Sequence, residues 1–161
     1  MTFTVIIVGL LLVVALFALV LNNVRKRRHR RGLLEQIRAT KDAFVFLIDS
    51  SFEVKETNYY VLNPDVEQKP PYLLGNVLHC QTGTDCGECG TGFSCKTCPV
   101  RLVIKNAFQQ KHGFENVVAT MRLYDDVYKA QTVDVELSGE LVYLDTEQLM
   151  LIRVKTLRSG K

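Results

Sequence analysis

The chain reads as an α+β domain, an antiparallel sheet with helices packed on one face, behind one N-terminal membrane-spanning helix. Three observations predict this. Residues 3–21 are apolar and uncharged, and a basic run follows them at once. Downstream come two short strand patterns, a proline-broken helical middle, one longer helical pattern and three longer strand patterns. Strands grouped two and three around a helical crossover fit an antiparallel sheet with helices segregated to one face. Finally, all five cysteines lie in one glycine-rich stretch, "CQTGTDCGECGTGFSCKTC", from Cys80 to Cys98.

The first element is the apolar stretch "FTVIIVGLLLVVALFALVL". As a helix it would be roughly 28 Å long, close to the ~30 Å hydrocarbon core of a bilayer. The run "RKRRHRR" behind it holds six Lys and Arg. Positive residues stay on the cytoplasmic side, so the expectation is a single-pass anchor in a bacterial inner (plasma) membrane with the C-terminal body cytoplasmic. A cleaved signal peptide would carry its charges before the apolar stretch and small residues at a cleavage site, and neither pattern is present. Without those six basic residues the chain has 14 Lys and Arg against 17 Asp and Glu, a net of −3. The basic character is thus one local run suited to anionic headgroups, and a nucleic-acid partner, which needs basic residues spread over a folded face, is not expected. With 47% hydrophobic and 23% charged residues the body has the composition of a folded domain.

The body follows in order. Leu33, Leu34 and Ile37 stand near helical spacing and predict a short amphipathic linker helix. Phe44–Ile48 is an apolar strand, Asp49-Ser50-Ser51 a turn, and Phe52, Val54 and Glu56 continue with a period of two as the second strand. "YYVLNPDVEQKPPYLLGNVL" holds three prolines and should form short helical turns, with Pro70-Pro71 excluding a regular helix there. Pro99 suits the first turn of a longer helix. Its apolar face would be Val100, Val103, Ile104, Ala107 and Phe108, and its cap Gly113. "FENVVATMRLYD", "VYKAQTVDVELSGELVYL" and "EQLMLIRVKTL" alternate with β-branched residues and predict three strands, with turns at Asp125-Asp126 and Asp145-Thr146. The resulting divisions are an anchor over 1–24, a basic juxtamembrane segment and linker helix over 25–41, and a domain over 42–158 with its cysteine loop at 79–98. Tyr59, Tyr60, Phe44 and Phe46 are expected in its core.

The cysteine loop carries the candidate chemistry. Cys86-Gly-Glu-Cys89 and Cys95-Lys-Thr-Cys98 are two C-x-x-C pairs five residues apart. Stable disulfides are uncommon in a reducing compartment, and an odd count argues against a complete disulfide framework. Two such pairs supply four soft thiolates, enough for tetrahedral zinc or for an iron–sulfur cluster. The candidate metal ligands are therefore Cys86, Cys89, Cys95 and Cys98, with Cys80 a fifth candidate, a resolving thiol or a small buried side chain. Glycines 87, 90 and 92 would let so short a loop fold back on itself. Cys98 precedes Pro99, at a helix N-terminus whose partial charge favours an anionic sulfur. Reversible thiol–disulfide switching without metal is the competing chemistry. Neither C-x-x-C is followed by His, which disfavours c-type haem. Asp49, Asp134 and Glu136 form no general acid–base group, so no catalytic residue is assigned and an enzyme is not expected.

The strand pair "FVFLIDSSFEVKETN", the middle with "LLGNVLHC", the helix from Pro99 and the closing "LMLIRVKTL" together resemble a PAS domain over roughly residues 42–157. The cysteine loop is similar to one found in some bacterial sensor PAS domains. The resemblance implies a five-stranded antiparallel sheet with helices over one face. It also implies a sensory or dimerising role, coupled to a kinase or cyclase. No kinase, cyclase or methyl-accepting segment is read up to Lys161, so the expected output passes through a separate protein, such as a histidine kinase or another signalling protein. A homodimer is a family-level expectation. Haem at His79 or His112, and flavin at the loosely matching "GNVLHCQTG", are disfavoured. Two other functions compete with a membrane-anchored sensor. One is a non-sensing interaction or scaffold protein whose loop is stapled by zinc. The other is a thiol oxidoreductase, against which the β-rich body argues.

Overall fold

The computed structural model describes residues 2–125 and 129–157, with side chains from Leu12 onward. It divides into two compact units, Met1–Glu35 and Gln36–Lys161. The first is made of helix α1, Thr2–Ala39, whose residues 36–39 are counted with the second unit. The expected linker helix is thus the last part of α1 rather than a separate element. Apolar side chains along the first unit, Leu12, Phe17 and Leu21 among them, are exposed. Among the described residues no helix is long and apolar enough to cross a membrane; residues 3–11 of the apolar stretch lie outside the described side chains.

The second unit is α+β. Its elements are β1 (Phe44–Ile48), β2 (Val54–Thr57), α2 (Tyr59–Leu62), α3 (Leu74–Val77), α4 (Gln81–Asp85), a 3-10 turn (Phe93–Lys96), α5 (Pro99–Gln110), β3 (Phe114–Tyr124), β4 (Ala130–Leu144) and β5 (Glu147–Leu157). The strands form one five-stranded sheet in the order β2-β1-β5-β4-β3, with every neighbouring pair antiparallel. β1 sits between β2 and β5, opposite Phe46–Thr57 on one side and Phe46–Ile152 on the other. All helices of this unit after α1 fall between β2 and β3.

Period-two alternation sends one side of each strand inward. Phe46 and Ile48 of β1, Ala119 and Met121 of β3, Val135 and Leu137 of β4, and Met150, Ile152 and Val154 of β5 form one buried core. Leu74, Val77 and Leu78 from the α3 region and Val100, Ile104 and Ala107 from α5 close it. Each fully buried aliphatic or aromatic side chain contributes about 1.5–3 kcal/mol. Val45 and Leu47, which point the other way, are buried too, as are Ile37, Ala43 and Leu149, none of which belongs to that core. Phe44, Tyr59 and Tyr60 pack against its rim, with the Tyr59 ring 5.1 Å from Phe44 and 5.5 Å from Tyr60.

Two boundaries differ from the sequence reading. Phe52 is buried but is not in the strand: it takes φ 70° in the turn after β1, where its N–H bonds the Asp49 carbonyl. Helix α5 starts at Pro99 as expected but ends at Lys111, whose left-handed φ of 53° closes the helix before Gly113 is reached. Gly113 has another task. A Cβ there would stand 2.6 Å from the Gly139 carbonyl of β4, so the chain can approach the sheet only without a side chain. The Asp145-Thr146 turn joins β4 to β5 as expected, and Asp126 of the other expected turn lies outside the described residues.

Candidate functional site: the cysteine loop

Residues 72–98 are held to the body from both ends. The Val54 N–H bonds the Tyr72 carbonyl and the Leu74 N–H bonds the Phe52 carbonyl, which fixes α3 beside β2. The Cys80 N–H bonds the Gly75 carbonyl at 2.7 Å, and Cys80 forms an isolated antiparallel bridge with Leu123 of β3. The Tyr124 N–H bonds the His79 carbonyl, and the Tyr124 hydroxyl donates to Asp85 at 2.7 Å. The Asp85 carboxylate pushes the Tyr124 hydroxyl above its ordinary pKa, with burial adding to the rise. At the far end Cys98 is the N-cap of α5, with Pro99 in the first helical turn.

Inside the loop the organising residue is Asn76. Its Oδ1 accepts the Cys89 N–H at 2.7 Å and its Nδ2 donates to the Gly87 carbonyl at 3.0 Å. One amide therefore holds both sides of the Cys86–Cys89 turn. Nothing in the cysteine pattern singles Asn76 out; the available signal is a polar residue in the otherwise apolar "LLGNVL". The turn itself depends on two glycines in the left-handed region, Gly87 at φ 85° and Gly90 at φ 106°. The loop does fold back on itself. A Cβ on Gly75 would lie 2.5 Å from the Cys89 sulfur and 3.6 Å from the Cys80 Cβ. The Gly90 N–H donates to the Cys95 sulfur at 3.4 Å.

The five cysteines are all free thiols and differ in exposure: Cys95 is buried, Cys80, Cys89 and Cys98 are half-buried, and Cys86 is exposed. Burial pushes the Cys80 thiol above its ordinary pKa. The facing Gly83 and Thr82 N–H groups pull it back, and the nearby Cys98 and Cys95 push it further. Neither N–H closes a side-chain cap hydrogen bond on α4. Burial raises Cys89 as well, against the Gly75 N–H; Cys95 and Cys80 add to the rise and Arg101 opposes it. The sulfurs of Cys86 and Cys95 both approach Gly92, at 3.1 and 3.6 Å from where its Cβ would be. Among the described residues no group of three or more His, Cys, Asp and Glu side chains stands placed to hold a metal ion. The loop thus gathers soft donors into one neighbourhood without setting them in ligating geometry.

Arg101, in the first turn of α5, faces the same loop. Its guanidinium lies 4.1 Å from the Phe52 ring centroid, and Nη1 is 2.7 Å from the position of a Cβ on Gly90. Nη1 is buried and has no hydrogen-bond partner. The histidines serve differently. The His79 ring stacks on Tyr59 at 6.4 Å, against the aromatic rim of the core. Asp49 accepts the Ser51 and Glu53 N–H groups and pairs with Lys55 at 2.9 Å, and Asp134 accepts the Thr120 hydroxyl, so each has a local structural role.

Comparison with known proteins adds little to this geometry. No protein-family model matches the chain, and no curated protein matches it. Among solved structures it is similar to the crystal structure of the E. coli DhaR(N)–DhaL complex, with a TM-score of 0.45 and 13% identity. That match covers 86% of this chain and 40% of the other.

Proposed function

We propose that the chain is a membrane-anchored PAS-like sensory module. Its cysteine loop binds a metal or responds to redox state, and it signals to a separate partner protein. The observation that carries this reading is the way the loop is tied in. It is bonded to β3 through Cys80 and Leu123, and it opens α5 through Cys98. A change at the sulfurs has a short covalent and hydrogen-bonded route into the sheet and the helix that cover the core. The five-stranded antiparallel sheet, with its helices between strands two and three, agrees with the PAS resemblance. The anchor rests on the apolar stretch 3–21, which is hydrophobic on all sides as a helix and is followed by the basic run. In this reading the anchor lies in a bacterial inner membrane, and the domain acts from the cytoplasmic side on a histidine kinase or another signalling protein, alone or as a homodimer.

Anaerobic purification with metal analysis and a visible spectrum tests the reading. Broad absorption of thiolate-bound iron that bleaches on oxidation supports sensing. Stoichiometric colourless zinc that resists oxidants points instead to a stapled interaction module. Absence of any metal, together with a reversible Cys95–Cys98 disulfide, removes the metal and leaves the thiol switch.

A further inference from the structure

A buried cation without a counter-charge is costly, because the low-dielectric interior does not replace its hydration. Arg101 meets part of that cost: the residue is half-buried, and one of its guanidinium nitrogens is fully buried. Its Nη1 is buried against Gly90 and lacks a hydrogen-bond partner, and the guanidinium also lies over the face of Phe52. Beside it lie the sulfurs of the loop, and they are not equivalent. Cys80, Cys89, Cys95 and Cys98 are all at least half-buried, while Cys86 is exposed. Cys80 and Cys89 both approach Gly75, and Cys86 and Cys95 both approach Gly92, so exposure and not distance sets Cys86 apart. Cys95 receives the Gly90 N–H. Cys98 and Cys80 both pack on the main core. Spacing alone pairs Cys86 with Cys89, but the fold brings Cys80 to the interior end of the loop, where its backbone is bridged to Leu123.

We propose that Cys80, Cys89, Cys95 and Cys98, neighbours that do not yet stand in ligating geometry, close around a thiophilic divalent metal, with Arg101 offsetting part of the charge and Cys86 outside the centre. The assignment rests on the metal-binding reading of the loop and refines which sulfurs make the site. Each thiol releases its proton to solvent as it ligates, and four thiolates around a divalent ion leave a net double negative charge. The Arg101 guanidinium offsets one of those two charges. The Gly90 N–H, which donates to the Cys95 sulfur, shares in it.

The test uses the full chain in detergent, purified without oxygen and loaded with cobalt(II), whose thiolate charge-transfer and d–d bands report tetrahedral sulfur ligation. The loaded protein is then alkylated and the modified cysteines located by mass spectrometry. We expect Cys86 to be labelled and the other four spared, a result that depends on no variant folding. Cys86→Ser should keep the cobalt spectrum and Cys80→Ser should lose it. Arg101→Gln should weaken cobalt binding by about 10- to 100-fold, as loss of an outer-shell partner does. Labelling of Cys80 with protection of Cys86, or loss of the spectrum in Cys86→Ser, overturns the assignment while leaving the loop a metal site. Unchanged affinity in Arg101→Gln overturns the counter-charge role alone. Wild-type protein that binds no cobalt overturns both the assignment and the metal-binding reading beneath it.

Discussion

Asn58 is fully buried, the one polar side chain so placed among the described residues. Its Oδ1 accepts the Val45 N–H at 2.7 Å, and its Nδ2 donates to the carbonyls of Thr40 and Ala43 at 2.7 and 3.0 Å. It thereby ties the segment after α1 to the start of β1. Asn58→Ala removes all three bonds and strands a buried N–H and two carbonyls, so a loss of about 2–4 kcal/mol is expected. Urea unfolding checks this: the midpoint should fall with the slope unchanged, and a shift under about 0.5 kcal/mol would contradict the accounting. Asn76 makes a similar set of bonds but in the exposed loop, so its removal should act locally. Asn76→Ala should speed alkylation of Cys89 several-fold while the urea midpoint moves by about 1 kcal/mol or less. A large global destabilisation would mean that the loop is part of the folding core rather than mounted on it.

The Asp49 turn shows what an element owes to one carboxylate. Burial alone would raise its pKa. The hydrogen bond from Lys55 and the N–H groups of Glu53 and Ser51 outweigh burial and hold it below the ordinary 3.8. A carboxylate depressed in the fold stabilises above its unfolded pKa and loses that contribution as pH falls through the folded value. Wild type should therefore exceed Asp49→Asn in stability at neutral pH, and the gap should close progressively below about pH 4. A gap that persists to pH 2 would assign the effect to geometry instead of charge. The same turn marks the limit of reading elements from pattern. β1 and α5 were legible, one from a run of five apolar residues and the other from Pro99 and its apolar face. Phe52 was not, because alternation places it in a strand whereas the Asp49 hydrogen bonds force a left-handed residue there. In the loop the two C-x-x-C pairs could be read from spacing. The positions of Cys80 and Asn76 could not, since they depend on pairing with Leu123 and on bonds to Gly87 and Cys89 that no local pattern encodes.

At the scale of the whole chain the two units call for different solvents. The unit from Gln36 to Lys161 has its own sheet and core and a net acidic body, so it should fold alone. The unit before it has apolar side chains exposed from Leu12 to Leu21, and among its described residues none belongs to a buried core. In the proposed anchoring, moving this helix into hydrocarbon is favourable at about 25 cal/mol per Å² of apolar surface. The full chain should therefore sediment with membranes and resist alkaline carbonate extraction, while residues 36–161 alone should be soluble and unfold in one cooperative transition. Recovery of the full chain in the soluble fraction would remove the anchor from the proposed function. Orientation follows from the basic run rather than from the apolar stretch. A reporter fused after Lys161 should be cytoplasmic, and replacing the six Lys and Arg between Arg25 and Arg31 with Gln should randomise or invert it. The consequence reaches the sulfurs. On the cytoplasmic side the five thiols stay reduced and open to a soft metal, whereas a reporter active on the outer side would place them in an oxidising compartment, where disulfides would compete for the same atoms.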